Sequence, residues 1–304
     1  MKVMVHDLPK AELHLHLEGS VEPETLRELD PALTAEEVRA RYRYPNFAGF
    51  IESFKWVIGH LRGPADYALV ARRLLERLAR ENVRYAEITI SAGVMLWRGR
   101  EFAPVYEALR EEAGRSRVEV RWILDAVRQM GPEPAMQVAR LAAERVGQGV
   151  VAFGIGGDEV LGPVAWFGEV FEFARNSGLH LTVHAGETVG PESVWGALRL
   201  GAERIGHGIR AVEDPALLEW LREHSIPLEI CISSNLATGA VEALERHPVR
   251  RIYEAGVPIV LGSDDPAMFS TTLEREYELA ASEFGFTPEE LCGIAENGFR
   301  FAFR

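Results

Sequence analysis

Eight apolar runs recur along this chain, each bounded by polar residues, and most are followed by a stretch with helical spacing. The runs are Ala11–Leu17, Val83–Ile90, Val118–Ala126, Val150–Ile155, Leu179–His184, Arg204–Ile209, Pro227–Ile232 and Val257–Gly262. Most are rich in Val, Ile and Leu, as expected of parallel strands covered on both faces. The stretches between them place apolar residues three and four apart. In Tyr67–Glu81, Leu69, Ala71, Leu74, Leu75, Leu78 and Ala79 are apolar, while Arg and Glu fill the gaps. Phe102–Glu112, Glu133–Arg145, Pro163–Asn176, Pro191–Leu200, Pro215–Glu223 and Pro248–Ala255 read the same way. Several open with proline, which suits a first helical turn.

Eight such units predict an α/β fold of the (β/α)8 TIM-barrel type, a single domain over residues 1–304. An open doubly wound sheet is the alternative. The first strand-to-helix junction carries no Gly-x-Gly-x-x-Gly, which argues against it. The segment Val21–Arg62 is longer than one helix needs. Its Tyr42, Tyr44, Phe47, Phe50, Phe54 and Trp56 predict a helical insertion after strand 1 that caps the barrel mouth. The plainer alternative is an insertion packed at the side.

Composition narrows the function. The 304 residues are 47% hydrophobic and 26% charged, enough for one large core. A formal net charge of -13 argues against binding a nucleic-acid backbone, which needs a basic face. The two cysteines, Cys231 and Cys292, form neither a disulfide framework nor a Cys-x-x-Cys metal motif. Residues Met1–Asp7 lack the apolar stretch of a signal peptide, and no uncharged run reaches membrane-span length. The expectation is a soluble, cytoplasmic protein with a small-molecule partner. No motif bears on oligomeric state.

The polar residues that close the apolar runs carry the chemistry. His14 and His16 lie two apart on the first strand and so share one face. His184 ends the fifth strand and Asp264 the eighth. Three neutral imidazoles and a carboxylate suit a divalent ion with a position open for water, with zinc the usual choice. A second ion would need a bridging group, often a carboxylated lysine on a middle strand. Lys2, Lys10 and Lys55 are the only lysines, and none lies there, so one metal is expected. Water attacking an aromatic C–N centre then needs a base for its proton and an acid for the ring nitrogen. Glu187, just past His184, can be that acid if burial raises its pKa. His207, at the end of strand six, can be the base. Asp265 can bond substrate. His6, His60, His180, His224 and His247 fall in positions that suggest solvated or structural roles.

These residues sit in six motifs: Leu8-Pro9-Lys10-Ala11-Glu12-Leu13-His14-Leu15-His16-Leu17-Glu18-Gly19, Gly156-Gly157-Asp158-Glu159, His184-Ala185-Gly186-Glu187, Ile205-Gly206-His207-Gly208, Ser233-Ser234-Asn235 and Ser263-Asp264-Asp265-Pro266. In this order, and over nearly the whole chain, they resemble the adenosine deaminase family of metal-dependent hydrolases. The resemblance implies one zinc ion on His14, His16, His184 and Asp264. It implies Glu187 as donor to purine N1 and His207 as the group that handles the water proton and orients hydroxide. It further implies substrate contacts by His16, Glu18, Gly157 (its N–H to N3) and Asp265 (to N7), and loss of ammonia from C6.

Glu18 departs from the family's common pattern. Adenosine deaminases usually carry Asp there, bonded to the ribose 5′-hydroxyl. Relatives with Glu include adenine deaminases and enzymes for adenosines altered at the 5′ carbon, among them aminodeoxyfutalosine deaminase of menaquinone biosynthesis. Pro266-Ala267-Met268-Phe269-Ser270-Thr271-Thr272-Leu273 is more similar to the nucleoside branch than to the adenine one. The leading substrate is therefore 6-amino-6-deoxyfutalosine or another 5′-modified adenosine, then adenosine, then adenine. Two other readings stand further off: a two-metal hydrolase of phosphoesters, lactones or amides, and a non-catalytic nucleoside-binding barrel.

Overall fold

The computed structural model describes residues 5–304. Its strands are β1 (Lys10–His16), β2 (Val83–Ile90), β3 (Glu119–Val127), β4 (Val150–Gly156), β5 (His180–Ala185), β6 (Arg204–His207), β7 (Leu228–Ile230) and β8 (Ile259–Leu261). They form one sheet in sequence order, and each neighbouring pair is parallel. β1, β6, β7 and β8 are buried throughout, which accounts for their lack of alternation. Just past β8 the chain returns to β1. The His16 N–H donates to the Asp264 carbonyl and the Asp264 N–H to the His14 carbonyl, both at 2.8 Å. Two metal-ligand candidates on one strand and one on the other thus make the seam of a nearly closed (β/α)8 barrel.

Between β1 and β2 lie α1 (Pro23–Leu29), α2 (Ala35–Arg41), α3 (Phe47–His60) and α4 (Pro64–Arg80). α4 is the barrel helix, and the three before it are the expected insertion. The Asn46 side chain accepts the Gly49 N–H at 3.0 Å and so starts α3. Phe47, Phe50, Ile51 and Phe54, at helical spacing, line the central cavity. The Tyr44 hydroxyl donates to the Met268 carbonyl at 2.7 Å, and the Phe50 and Phe269 rings lie 4.9 Å apart. These contacts fasten the insertion to the loop after β8, so it is a cap over the mouth.

The remaining helices are α5 (Ala92–Trp97), α6 (Phe102–Arg115), α7 (Pro132–Ala143), α8 (Gly168–Asn176), α9 (Pro191–Arg199), α10 (Pro215–Glu223), α11 (Ile232–Ala237), α12 (Val249–Glu254), α13 (Leu273–Phe284) and α14 (Pro288–Arg300). Four elements differ from expectation. Pro163–Asn176 splits into a 3-10 turn, Val164–Phe167, and α8. The last three strands are shorter than their apolar runs. β6 stops at His207, whose φ of +60° ends extended pairing, and Ile232 already opens α11. Among the described residues no helix is long and apolar enough to cross a membrane.

The segment after α14 fills the barrel floor. Phe303 packs against Ile123 and Ala152, and the Arg204 guanidinium lies 3.6 Å from its ring centroid. Arg204 bridges Glu87 at 2.5 Å and Glu229 at 2.6 Å, and donates to the Phe301 carbonyl at 2.9 Å. All three charged side chains are buried.

Candidate functional site

Four side chains converge at the C-terminal ends of the strands. One ligand atom each from His14, His16, His184 and Asp264 lies within 4.8 Å of the others. The His16 and His184 Nε2 atoms are 3.1 Å apart. Asp264 Oδ1 is 3.3 Å from His16 Nε2 and 3.5 Å from His14 Nε2. His14 Nε2 is buried with no hydrogen-bond partner among the described residues. Buried polar atoms are seldom left this way, and the arrangement makes sense as a cage for a cation. Neighbouring groups aim three of the four ligands. His14 Nδ1 is 2.6 Å from Glu229 Oε2, His184 Nδ1 is 3.1 Å from the Ile155 carbonyl, and Ser234 Oγ donates to Asp264 Oδ2 at 2.6 Å. Burial lowers His16 to about 4 and His184 well below its usual value, so both imidazoles are neutral, as ligands must be. His207 and Cys231 also lie near His14 and Asp264. Burial pushes the Cys231 thiol well up, which keeps it protonated and a weak ligand.

Glu187 lies past the end of β5 with its Oε2 3.7 Å from His207 Nε2. Burial, then the charges of Asp264 and Glu159, push its pKa up to about 8. A carboxyl group in that state is a proton donor near neutrality. Its backbone is held by Glu159, whose carboxylate accepts the N–H groups of Gly186, Glu187 and Thr188 at 2.8–2.9 Å and the Ser193 hydroxyl. His207 is lowered to about 4 by burial and by His14. Asp265 Oδ1 is buried without a partner among the described residues. Burial and the Asp264 charge raise its pKa well above the carboxylate range, so it can donate to a ring nitrogen. Gly157 has φ +97°, and a Cβ there would fall 2.3 Å from Gln129 Oε1, so only glycine fits.

His16, Gly157, His184, Glu187, His207, Asp264 and Asp265 face one cavity of about 300 Å³. His14 closes the cage behind them. Glu18 stands apart from that lining. It is fully buried and set back from the cavity, with its carboxylate accepting the Ser91 N–H at 3.1 and 3.3 Å. The 3-10 turn Glu18–Ser20 directs it there, and Ser91 is what faces the cavity. Other residues escaped the sequence reading. Glu159 stood in a recognised motif but had no role. Asp125, on β3, faces the cavity over Gly154 and Gly156, where a Cβ on either would lie 2.9 Å from its carboxylate. Burial raises Asp125 to about 7. The signal for it was an acid inside the apolar run Trp122–Val127. Asn235 and His247 stand behind His207.

Convergence of a metal cage and a buried proton donor at this end of a barrel defines a metal-dependent hydrolase. Comparison with known proteins narrows the class. Residues 9–304 match the family model described as adenosine deaminase. The chain is 41% identical to an aminodeoxyfutalosine deaminase of Streptomyces avermitilis, covering 97% of this chain and 87% of that one. It is 37% identical to an adenine deaminase of Rhizobium leguminosarum bv. trifolii, covering 99% and 96%. Its fold matches the crystal structure of an amidohydrolase from Burkholderia ambifaria with bound Zn, at TM-score 0.92 and 27% identity, covering 99% and 87%. The chain belongs to the adenosine deaminase family, hydrolytic deaminases that act on C–N bonds.

Proposed function

We propose that the chain deaminates C6 of a 6-aminopurine nucleoside with one zinc ion, and that the nucleoside is modified at its 5′ position. 6-Amino-6-deoxyfutalosine is the leading substrate. The observation that carries the 5′ reading is the cavity wall. Beyond the groups assigned to the purine, Phe47, Ile51, Phe54, Val94, Trp97 and Met130 continue it as an apolar annex, with Lys55 also on its lining. A free base has nothing to place there. Glu18, turned to Ser91, offers no carboxylate to a plain 5′-hydroxyl. An extended apolar 5′ substituent ending in an anion would suit both the annex and Lys55.

His14, His16, His184 and Asp264 hold the zinc, which when bound lowers the pKa of water at the site. The chain's own residues do the rest. Asp265 donates to N7 and the Gly157 N–H to N3, which fixes the ring plane. Glu187 gives its proton to N1 as C6 becomes tetrahedral, so that negative charge does not build up on the ring. His207 holds the attacking water. The hydroxyl proton on the newly attached oxygen passes to the amino group, which leaves as ammonia, and Glu187 regains its proton as the next water gives one up. The relative named aminodeoxyfutalosine deaminase supports the lead, and the relative named adenine deaminase keeps free adenine as the second reading.

The test is kcat/KM on zinc-loaded protein for adenine, adenosine, 5′-modified adenosines and 6-amino-6-deoxyfutalosine. The 5′-extended nucleosides are expected to lead. Preference for adenine overturns the 5′ reading, and no ammonia from any of them overturns the enzyme.

A further inference from the structure

Asn235 ends the Ser233-Ser234-Asn235 motif, yet neither it nor His247 has a part in the chemistry above. Both are buried, Asn235 completely. They form a line behind His207. The Val249 N–H donates to His247 Nδ1 at 3.2 Å. His247 Nε2 is 3.1 Å from Asn235 Oδ1, and Asn235 Nδ2 is 3.2 Å from His207 Nδ1.

One backbone group sets the polarity of the whole line. A peptide N–H only donates, so His247 Nδ1 accepts and carries no proton. Burial holds His247 down to about 3, so the ring is neutral and its single proton sits on Nε2. That proton goes to Asn235, whose oxygen therefore faces His247. The amide nitrogen is left facing His207 and donates to Nδ1. A neutral His207 then carries its proton on Nε2, the atom 3.7 Å from Glu187 and 3.9 Å from Asp264. The reverse polarity would set an Nδ1–H of His247 against the Val249 N–H, leaving two buried donors opposed.

We infer that Asn235 and His247 are positioning residues that hold His207 in its Nε2–H form, so that it offers a donor rather than a lone pair to the reacting water. His207 thereby grips one lone pair of the attacking oxygen, which as hydroxide keeps another free to point at C6. This departs from the expectation of His207 as the base. It rests on the proposed deamination for where the water lies, but the position of the proton does not.

Two-bond 1H–15N correlation on zinc-loaded, 15N-histidine-labelled protein reads the proton position directly, with His207→Gln used to assign the signal. The expected result at neutral pH is a protonated Nε2 and a bare Nδ1. An Nδ1–H form or an imidazolium overturns the inference. Asn235→Leu removes the donor at similar volume. It is expected to lower kcat about tenfold or more with KM within about twofold, at unchanged zinc content. Unchanged kcat overturns the positioning role. If the wild-type signal is as expected but no purine is deaminated, the functional proposal fails and the proton assignment stands.

Discussion

Glu187 owes its proton mainly to burial. Its folded pKa of about 8 lies above the ordinary carboxylate value, so the acid form persists through neutrality and is lost as pH rises past about 8. In its proposed role as the acid, Glu187 is expected to make kcat/KM fall on that alkaline side. Glu187→Gln is expected to keep the metal, lower kcat by roughly 10²–10⁴ and lose the alkaline limb. Near-normal turnover in a pH–rate series would contradict the role. On the proposed reading, Glu18 acts at one remove. Glu18→Asp shortens the reach to the Ser91 N–H and is expected to shift kcat/KM toward adenosine relative to 5′-modified analogues. An unaltered ratio means that Glu18 has no say in 5′ choice. At this scale the convergence of His14, His16, His184 and Asp264 was legible in the sequence, because strand periodicity puts His14 and His16 on one face and the other two close later strands. Glu159, Asp125, Asn235 and His247 were not. What they do depends on which distant strand end each one meets, and no local period encodes that.

On the proposed reading, α3 is the element that sets substrate choice at the mouth. Its Phe47, Ile51 and Phe54 form the apolar side of the cavity, and Tyr44 and Phe50 tie it to the loop after β8. Phe54→Ala is expected to lower kcat/KM for nucleosides with an apolar 5′ extension by about tenfold, within the range for lost apolar pocket contact. Turnover of adenosine should barely move. Equal losses on both would show that α3 acts on the ring and not on the extension. The insertion was legible from its aromatic positions and its length. α5 and α11 were not, because each begins within two residues of a strand end; α5 continues the apolar character of the run before it, and α11 opens on Ile232, the last residue of its run. The same continuity made β7 look longer than it is, since Ile232 already belongs to α11.

The whole barrel is braced from below by one buried cation between two carboxylates. Arg204→Met leaves Glu87 and Glu229 without their partner and is expected to cost about 3–5 kcal/mol, the range for an orphaned buried charge. Denaturant titration measures it, and a loss under about 1 kcal/mol would show that the floor tolerates the change. Glu229 also touches His14, so the brace and the cage share a residue. The eightfold alternation foretold the barrel, but not that Phe301 and Phe303 would complete its floor.

The seam between β1 and β8 has a consequence for how this protein is made. Synthesis runs from the N-terminus, so His14 and His16 leave the ribosome long before Asp264 exists. During that interval the histidine pair has no carboxylate to share an ion with, and β1 has no neighbour on one edge. Barrel closure and completion of the cage fall in the same late step, after translation has passed β8. Ion capture by the proposed ligands would then report that the barrel has closed.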